Sequence, residues 1–339
     1  MKTIIHSSIL LALASSGIAF GAATATTGAV GYETIALTSG FNFMGIRLHE
    51  NPIAVGLLDS ATAAPNTVTD AEIDLAALIT GGKTYVLEIQ DGSGIIQEIT
   101  TAGAGTSIVT AANLTGLTFP CSYSLRPAST LDSVFGSTAA TCKLSIGGGG
   151  AGGADQVWFF TGSGYTKVYF DQFGGPSEVE GWYNFDTGAS VPGGTNIIYA
   201  DGFVISAASA KNLTISGDLK AGPTELNVAS GFNFAGSVGP VGMTLDTAYG
   251  DTTAEVTAAG LAIGGGGAGG ADQLWFYNGS GYTKVYFDQF GGPSEVEGWY
   301  NFDTGASVPA STVIPPGYVI SAAAAGDIKS GVPSYYTGL

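Results

Sequence analysis

One segment of this chain occurs twice: residues 146–192 return as residues 263–309, and only the pairs Val157/Leu274, Phe160/Tyr277 and Thr161/Asn278 differ. Segments this alike carry the same order of side chains along the backbone, so they are expected to form the same strands with the same partners. A shorter echo extends the repeat, since Ser39-Gly40-Phe41-Asn42-Phe43 matches Ser230-Gly231-Phe232-Asn233-Phe234. The stretch between echo and repeat is far longer the first time, which places an insertion at about 60–137. The expected organisation is a signal peptide over 1–22, a first half over 26–215 containing the inserted small β unit 60–137, and a second half over 216–339.

Each repeat carries a hairpin pattern. Gln156 to Phe160 and Tyr165 to Phe170 are rich in β-branched and aromatic residues, and Thr161-Gly162-Ser163-Gly164 between them reads as a turn. Both alternating faces are apolar, Val157 and Phe159 on one and Trp158 and Phe160 on the other, which predicts a hairpin covered on both sides. Further strands are expected over 196–206 and 212–216, and in the insertion over 84–90, 95–100 and 122–126, whereas only 70–78 has helical pull. Short strands separated by glycine-rich turns predict an all-β chain of two tandem homologous β-sandwich or barrel-like halves, the first with the inserted unit.

Composition narrows the partners. Charged residues make up 11% of the chain, against roughly a quarter in an ordinary soluble protein. The formal net charge is −17, the wrong sign for a phosphate backbone or an anionic bilayer, so nucleic acid and anionic membrane are excluded as expected partners. The start reads as a signal peptide: Met1-Lys2-Thr3 is basic, 4–20 is mostly apolar, and 21–25 offers small residues for cleavage. That apolar run is broken by His6, Ser7, Ser8, Ser15 and Ser16 and is too short for a comfortable membrane span, and no second long apolar run follows. The protein is therefore expected to be secreted or at the cell surface, with no integral membrane segment after cleavage. Export also favours pairing of the two cysteines, Cys121 and Cys142, in a disulfide, worth roughly 3 kcal/mol on the chain-entropy account.

Little catalytic chemistry is available. With His6 in the signal, His49 is the only other histidine; it is expected at the surface, with no nucleophile-elbow sequence to make a triad. Gly147, Gly149 and Gly152 match a dinucleotide-binding spacing, as do Gly264, Gly266 and Gly269, but they lead into an aromatic strand instead of a helix, so a flexible loop or a closely packed backbone explains them better. The acidic set Asp171, Glu178, Glu180 and Asp186, repeated as Asp288, Glu295, Glu297 and Asp303, leaves three readings open: Glu178 and Glu180 as a glycosidase pair, though both would then lie on one strand instead of flanking a sugar, oxygen ligands for Ca²⁺, or solvated loop carboxylates. Beside it stand Trp182 and Tyr183, repeated as Trp299 and Tyr300, which could stack on a sugar ring or fill a core.

The chain resembles an uncharacterised family of secreted bacterial proteins expanded as paralogues in Verrucomicrobium-like bacteria. The matching residues are Val30-Gly31-Tyr32, the 39–43 segment followed by Leu48 and Pro52, Leu114-Thr115-Gly116-Leu117 running into Thr130-Leu131-Asp132-Ser133-Val134-Phe135, Asp155-Gln156 leading into the hairpin with Lys167, Gly202-Phe203-Val204-Ile205, and the closing Val332-Pro333-Ser334-Tyr335. Tyr165 and Tyr282 stand where the family tends to place Trp. The resemblance implies export and a β-rich repeat architecture, and supplies no catalytic residues. The expected function is a non-enzymatic cell-surface or extracellular-matrix protein with a structural, adhesive or self-associating role. A secreted module binding extracellular polysaccharide is the alternative, and a glycosidase-like enzyme the third reading.

Overall fold

A computed structural model of the chain describes residues 30–332 apart from 174–178, 199, 221, 240, 241 and 291–295. The expected signal peptide and the end of the closing motif lie outside those residues. The chain is all-β, its sheets are antiparallel, and none closes into a barrel.

The first part begins with β1 (Val30–Leu37), β2 (Gly40–Met44) and β3 (Leu48–His49). After the insertion come β11 (Ser129–Thr130), α2 (Leu131–Phe135), the hairpin β12 (Gln156–Phe160) and β13 (Tyr165–Asp171), then β14 (Gly181–Asn184), β15 (Ser190–Val191), β16 (Asn196–Ile197), β17 (Phe203–Ala207) and β18 (Lys211–Leu219). Six of these form one sheet in the order β15-β14-β13-β12-β17-β2. Its inner face, with Val157, Phe170, Trp182 and Ile205, packs against Leu213 and Ile215 of the β1-β18-β3 sheet and against Phe135 of α2, which gives a two-layer core.

The insertion is a unit with its own core. It comprises β4 (Ala54–Leu58), β5 (Ser60–Ala63), β6 (Asn66–Thr69), α1 (Leu75–Leu78), β7 (Tyr85–Ile89), β8 (Ile96–Ile99), β9 (Ser107–Val109) and β10 (Cys121–Pro127). The sheets β4-β10-β7-β8 and β5-β6-β9 enclose Leu58, Val68, Leu87, Tyr123 and Leu125. Its strands thus run from Ala54 to Pro127, starting six residues before the expected 60–137 and ending ten residues short of it. The reason is local: 130–136 is not part of the insertion but a third echo, whose counterpart is 244–250. In both, a threonine caps a short helix through a capping box, Thr130 with Ser133 and Thr244 with Thr247, and a glycine ends it.

The last part holds β19 (Thr224–Val228), β20 (Gly231–Gly236), α3 (Leu245–Tyr249), α4 (Thr253–Ala258), β21 (Gln273–Tyr277), β22 (Tyr282–Asp288), β23 (Gly298–Asn301), β24 (Ser307–Val308), β25 (Gly317–Ala322) and β26 (Gly326–Ser330). The order β20-β25-β21-β22-β23-β24 reproduces that of the first six-stranded sheet strand for strand. Even the registers agree, Trp158 opposite Lys167 and Trp275 opposite Lys284. A boundary at 215/216 would cut β18, which continues to Leu219 in its pairing with β1 and β3.

The two six-stranded sheets meet where β2 and β20 end. Gly45 lies against Gly236 so closely that a Cβ on Gly45 would stand 2.4 Å from the Gly236 Cα, and Gly202 against Ala235 is matched by Gly317 against Met44. Backbone hydrogen bonds close the seam: Gly202 N donates to Phe234 O (3.1 Å), Gly236 N to Ala200 O (3.0 Å) and Ser237 N to Pro316 O (2.8 Å). Phe43 reaches Tyr277 and Tyr282 of the second hairpin, while Phe234 reaches Phe160 and Tyr165 of the first, so the contact is close to two-fold symmetric.

Candidate functional site

The aromatic residues singled out in the repeats are structural. Trp182, Tyr183, Trp299 and Tyr300 are each 2% exposed, which leaves no ring face for a sugar. Both tryptophans alternate onto the inner face of their sheets. Trp182 Nε1 donates to Asp132 Oδ1 (3.0 Å), and Trp299 Nε1 donates instead to Gly250 O (3.0 Å). Tyr183 and Tyr300 lie on the other face, but Ala151 and Ala154, and in the second copy Ala268 and Ala271, cover them. This is what the glycine-rich lead-in does. Gly147 pairs with Asp171 in a parallel bridge, and a Cβ on Gly147 would stand 2.2 Å from the Gly150 carbonyl, so the loop packs closely instead of moving freely.

The acidic residues go separate ways. Asp171 is buried and accepts from the amides of Gly149 (3.0 Å) and Phe173 (2.9 Å), and Asp288 does the same for Gly266 and Phe290. Asp186 pairs with Lys167 and Asp303 with Lys284. Glu180 is exposed, whereas Glu297 accepts from the amide and hydroxyl of Thr253 at the start of α4. Glu178 and Glu295 lie outside the described residues. Among the described residues no group of three or more His, Cys, Asp or Glu is placed to hold a metal ion.

The expected disulfide is absent: Cys121 and Cys142 are free. Cys121 is buried in the core of the insertion, and Cys142 packs on the edge of the first sheet's core, so the two thiols belong to different hydrophobic bodies. Burial raises the pKa of both.

Nor is His49 at the surface. It is 2% exposed, in a buried ionic node where β3, β7, β10 and β18 converge. Arg126 bonds Glu88 (3.0 Å), Asp218 (3.1 Å) and the Glu50 carbonyl (2.7 Å), and Ser124 donates to Glu88 (2.6 Å). Burial, opposed by Glu88 and assisted by Arg126 and Lys220, lowers the His49 pKa to about 3. Arg126 and Lys220 outweigh burial at Glu88 and hold it at about 2, while burial brings Lys220 down to about 8. The node ties the insertion to the first sheets. Asp155 plays a similar part in the loops, accepting from the amides of Ser145 and Ala208 and from Lys211.

What remains accessible is the outer face of each six-stranded sheet. Lys167 sits over the rings of Trp158 (5.1 Å) and Phe185 (5.6 Å), with Phe41 edge-on to Trp158 at 5.0 Å. Lys284 repeats this over Trp275 (5.1 Å) and Phe302 (5.5 Å), with Phe232 at 4.8 Å from Trp275. Trp158 Nε1 and Trp275 Nε1 are bonded to Gln156 and Gln273, which fixes both indoles. The hairpins are therefore only half covered on this side, in contrast to the expectation of two buried faces. The cue was Lys167 and Lys284, a charge in the middle of an otherwise apolar face. Among the described residues no helix is long and apolar enough to cross a membrane. In comparison with known proteins, no family model, no curated protein and no solved structure matches this chain.

Proposed function

We propose that the chain is a non-enzymatic extracellular or cell-surface protein that acts through adhesion or self-association. The observation that carries this reading is that the same apolar side chains stand exposed in both repeats. Phe173 and Phe290 are each 61% exposed, Val179 and Val296 62% and 61%, and Phe185 and Phe302 41%. A single exposed apolar residue needs no explanation, but a set repeated on the loops of both repeats offers two sticky surfaces on one chain. The net charge of −17 opposes contact between copies, so assembly through these residues should strengthen as salt screens that repulsion. The test is sedimentation velocity of the exported chain over a concentration series, beside the double variant Phe173→Ser/Phe290→Ser. Concentration-dependent assembly that the double variant abolishes while its circular dichroism is unchanged supports the reading. A wild-type chain that stays monomeric and fails to coat hydrophobic or cell surfaces overturns it.

A further inference from the structure

Two clefts flank the seam between the six-stranded sheets, and the approximate two-fold relates them. In one, Phe41 and Phe43 of β2 face Tyr277 and Gly279 of the second hairpin and the Pro315-Pro316 pair, leaving about 280 Å³. In the other, Phe232 and Phe234 of β20 face Phe160 and Gly162 of the first hairpin, leaving about 500 Å³. Strand register shows what changed between them. Phe203 pairs with Met44 as Tyr318 pairs with Ala235, so Asp201 stands where the closed cleft has Pro316 and Ala200 where it has Pro315. The larger cleft lacks both prolines, and Asp201 adds a carboxylate to its lining.

The open cleft does not end there. It shares Asp201, Asn227 and Phe234 with a further cavity of about 600 Å³ between β8 of the insertion and β19, where Glu98, Glu225 and Asp327 stand among Ile96, Leu226 and Val228. Both volumes lie in the range of small-ligand sites, at the junction of three packed bodies where such sites concentrate. The aromatic walls are preset: Phe232 leans on Trp275 at 4.8 Å, and Phe160 on Phe234 at 4.9 Å. Phe232 is exposed and presents a flat apolar surface. The lining is acidic, with Glu98, Asp201, Glu225 and Asp327, and Lys329 near Glu225 offsets part of that charge. Asp201 is exposed at the groove, where partial desolvation by the surrounding walls and the nearby Glu98 raise its carboxyl to about 6.

We propose that this groove binds an oligosaccharide carrying free amino groups, with pyranose rings stacked on Phe232 and Phe160 and an ammonium held by Asp201. Stacking accounts for the aromatic walls, since the apolar face of a pyranose packs on an aromatic ring. The charge selects among sugars, for uronates and sulfated glycans would be repelled, whereas an aminosugar gains a charge-assisted hydrogen bond. The site is separate from the repeated exposed residues Phe173 and Phe290.

The experiment is isothermal titration calorimetry of the full exported chain with a β-1,4-glucosamine tetrasaccharide in 0.15 M salt. Its N-acetylated counterpart and spermine serve as comparators, and Asp201→Asn, Phe232→Ala and Phe41→Ala as variants. Saturable 1:1 binding is expected, weakened at least tenfold by N-acetylation and by either Asp201→Asn or Phe232→Ala, and unchanged by Phe41→Ala in the closed cleft. Phe232→Ala and Asp201→Asn alter exposed side chains, and each is checked by its melting temperature. Absence of binding, equal binding of spermine, or affinity indifferent to both variants overturns the proposal. Sedimentation of the same variants reports self-association independently, so failure of the sugar site and failure of the adhesive role are told apart.

Discussion

Phe43 and Phe234 stack across the seam of the molecule with ring centroids 5.5 Å apart and planes 12° from parallel. They are the same residue of the same motif, and each also contacts the partner sheet's hairpin. The two repeats thus recognise each other through one surface used from both sides, as two subunits of a symmetric dimer would.

The stack predicts coupling. Phe43→Ala and Phe234→Ala should each destabilise by about 2 kcal/mol, and their double-mutant cycle should show about 1 kcal/mol of interaction. Gly45→Ala should cost more than either, because its Cβ would meet backbone, which cannot step aside. Urea denaturation followed by tryptophan fluorescence measures all three. Additive phenylalanine effects would show that the rings do not communicate.

Identical repeats should respond differently at one pair of positions. Asp132 accepts the Trp182 indole N–H, whereas Trp299 uses the Gly250 carbonyl, so Asp246 has no such task. Asp132→Ala leaves a buried donor unpaired and should cost about 1–3 kcal/mol, while Asp246→Ala should cost about 0.5 kcal/mol or less. By contrast, Trp182→Ala and Trp299→Ala should both cost about 3–5 kcal/mol as core truncations. Thermal unfolding of the four variants decides it, and equal losses for the two aspartates would contradict the assigned bonds.

Acid should weaken the fold well above the carboxylate range. The His49 pKa falls from 6.5 to about 3 on folding, so between those values the unfolded chain holds a proton that the folded chain does not, and stability drops as pH drops. Glu88, lowered from 4.5 to about 2, adds its own loss only below about pH 4.5. Asp201, raised to about 6, works in the opposite sense. The difference between wild type and His49→Asn isolates the histidine: from pH 6.5 to 4.5 wild type should lose on the order of 2–3 kcal/mol more than the variant. Parallel pH profiles would mean that His49 titrates as it does in water.

Reduction should change nothing. With both thiols free, dithiothreitol should leave the melting temperature in place, and mass-resolved alkylation in denaturant without reductant should modify both cysteines. In the folded protein Cys142, only half buried, should react before Cys121, and both slowly at neutral pH because burial disfavours the thiolate. A melting temperature lowered by several degrees on reduction would restore the bond.

Local order along the chain determined a great deal here. Alternation of β-branched and aromatic residues around Gly-Ser-Gly turns marked both hairpins, and these pair in the same register within two sheets of the same strand order. These features are legible because strand formation and turn geometry depend on neighbours a few residues away. Tertiary structure decided which face each aromatic occupies and what meets it. Trp182 and Trp158 look equally suited to a ligand in the sequence, yet one is core and the other a half-exposed platform under Lys167. Cys121 and Cys142 are close along the chain but end in different hydrophobic bodies, and His49 finds Arg126 and Glu88 only once the insertion folds back over β18. The open cleft depends on residues from three bodies far apart in sequence, among which Ala200 and Asp201 in place of Pro315 and Pro316 carry no local signal. Burial and long-range contact are properties of the packed whole, since the free energy that places a side chain comes from surfaces that its neighbours in sequence do not supply.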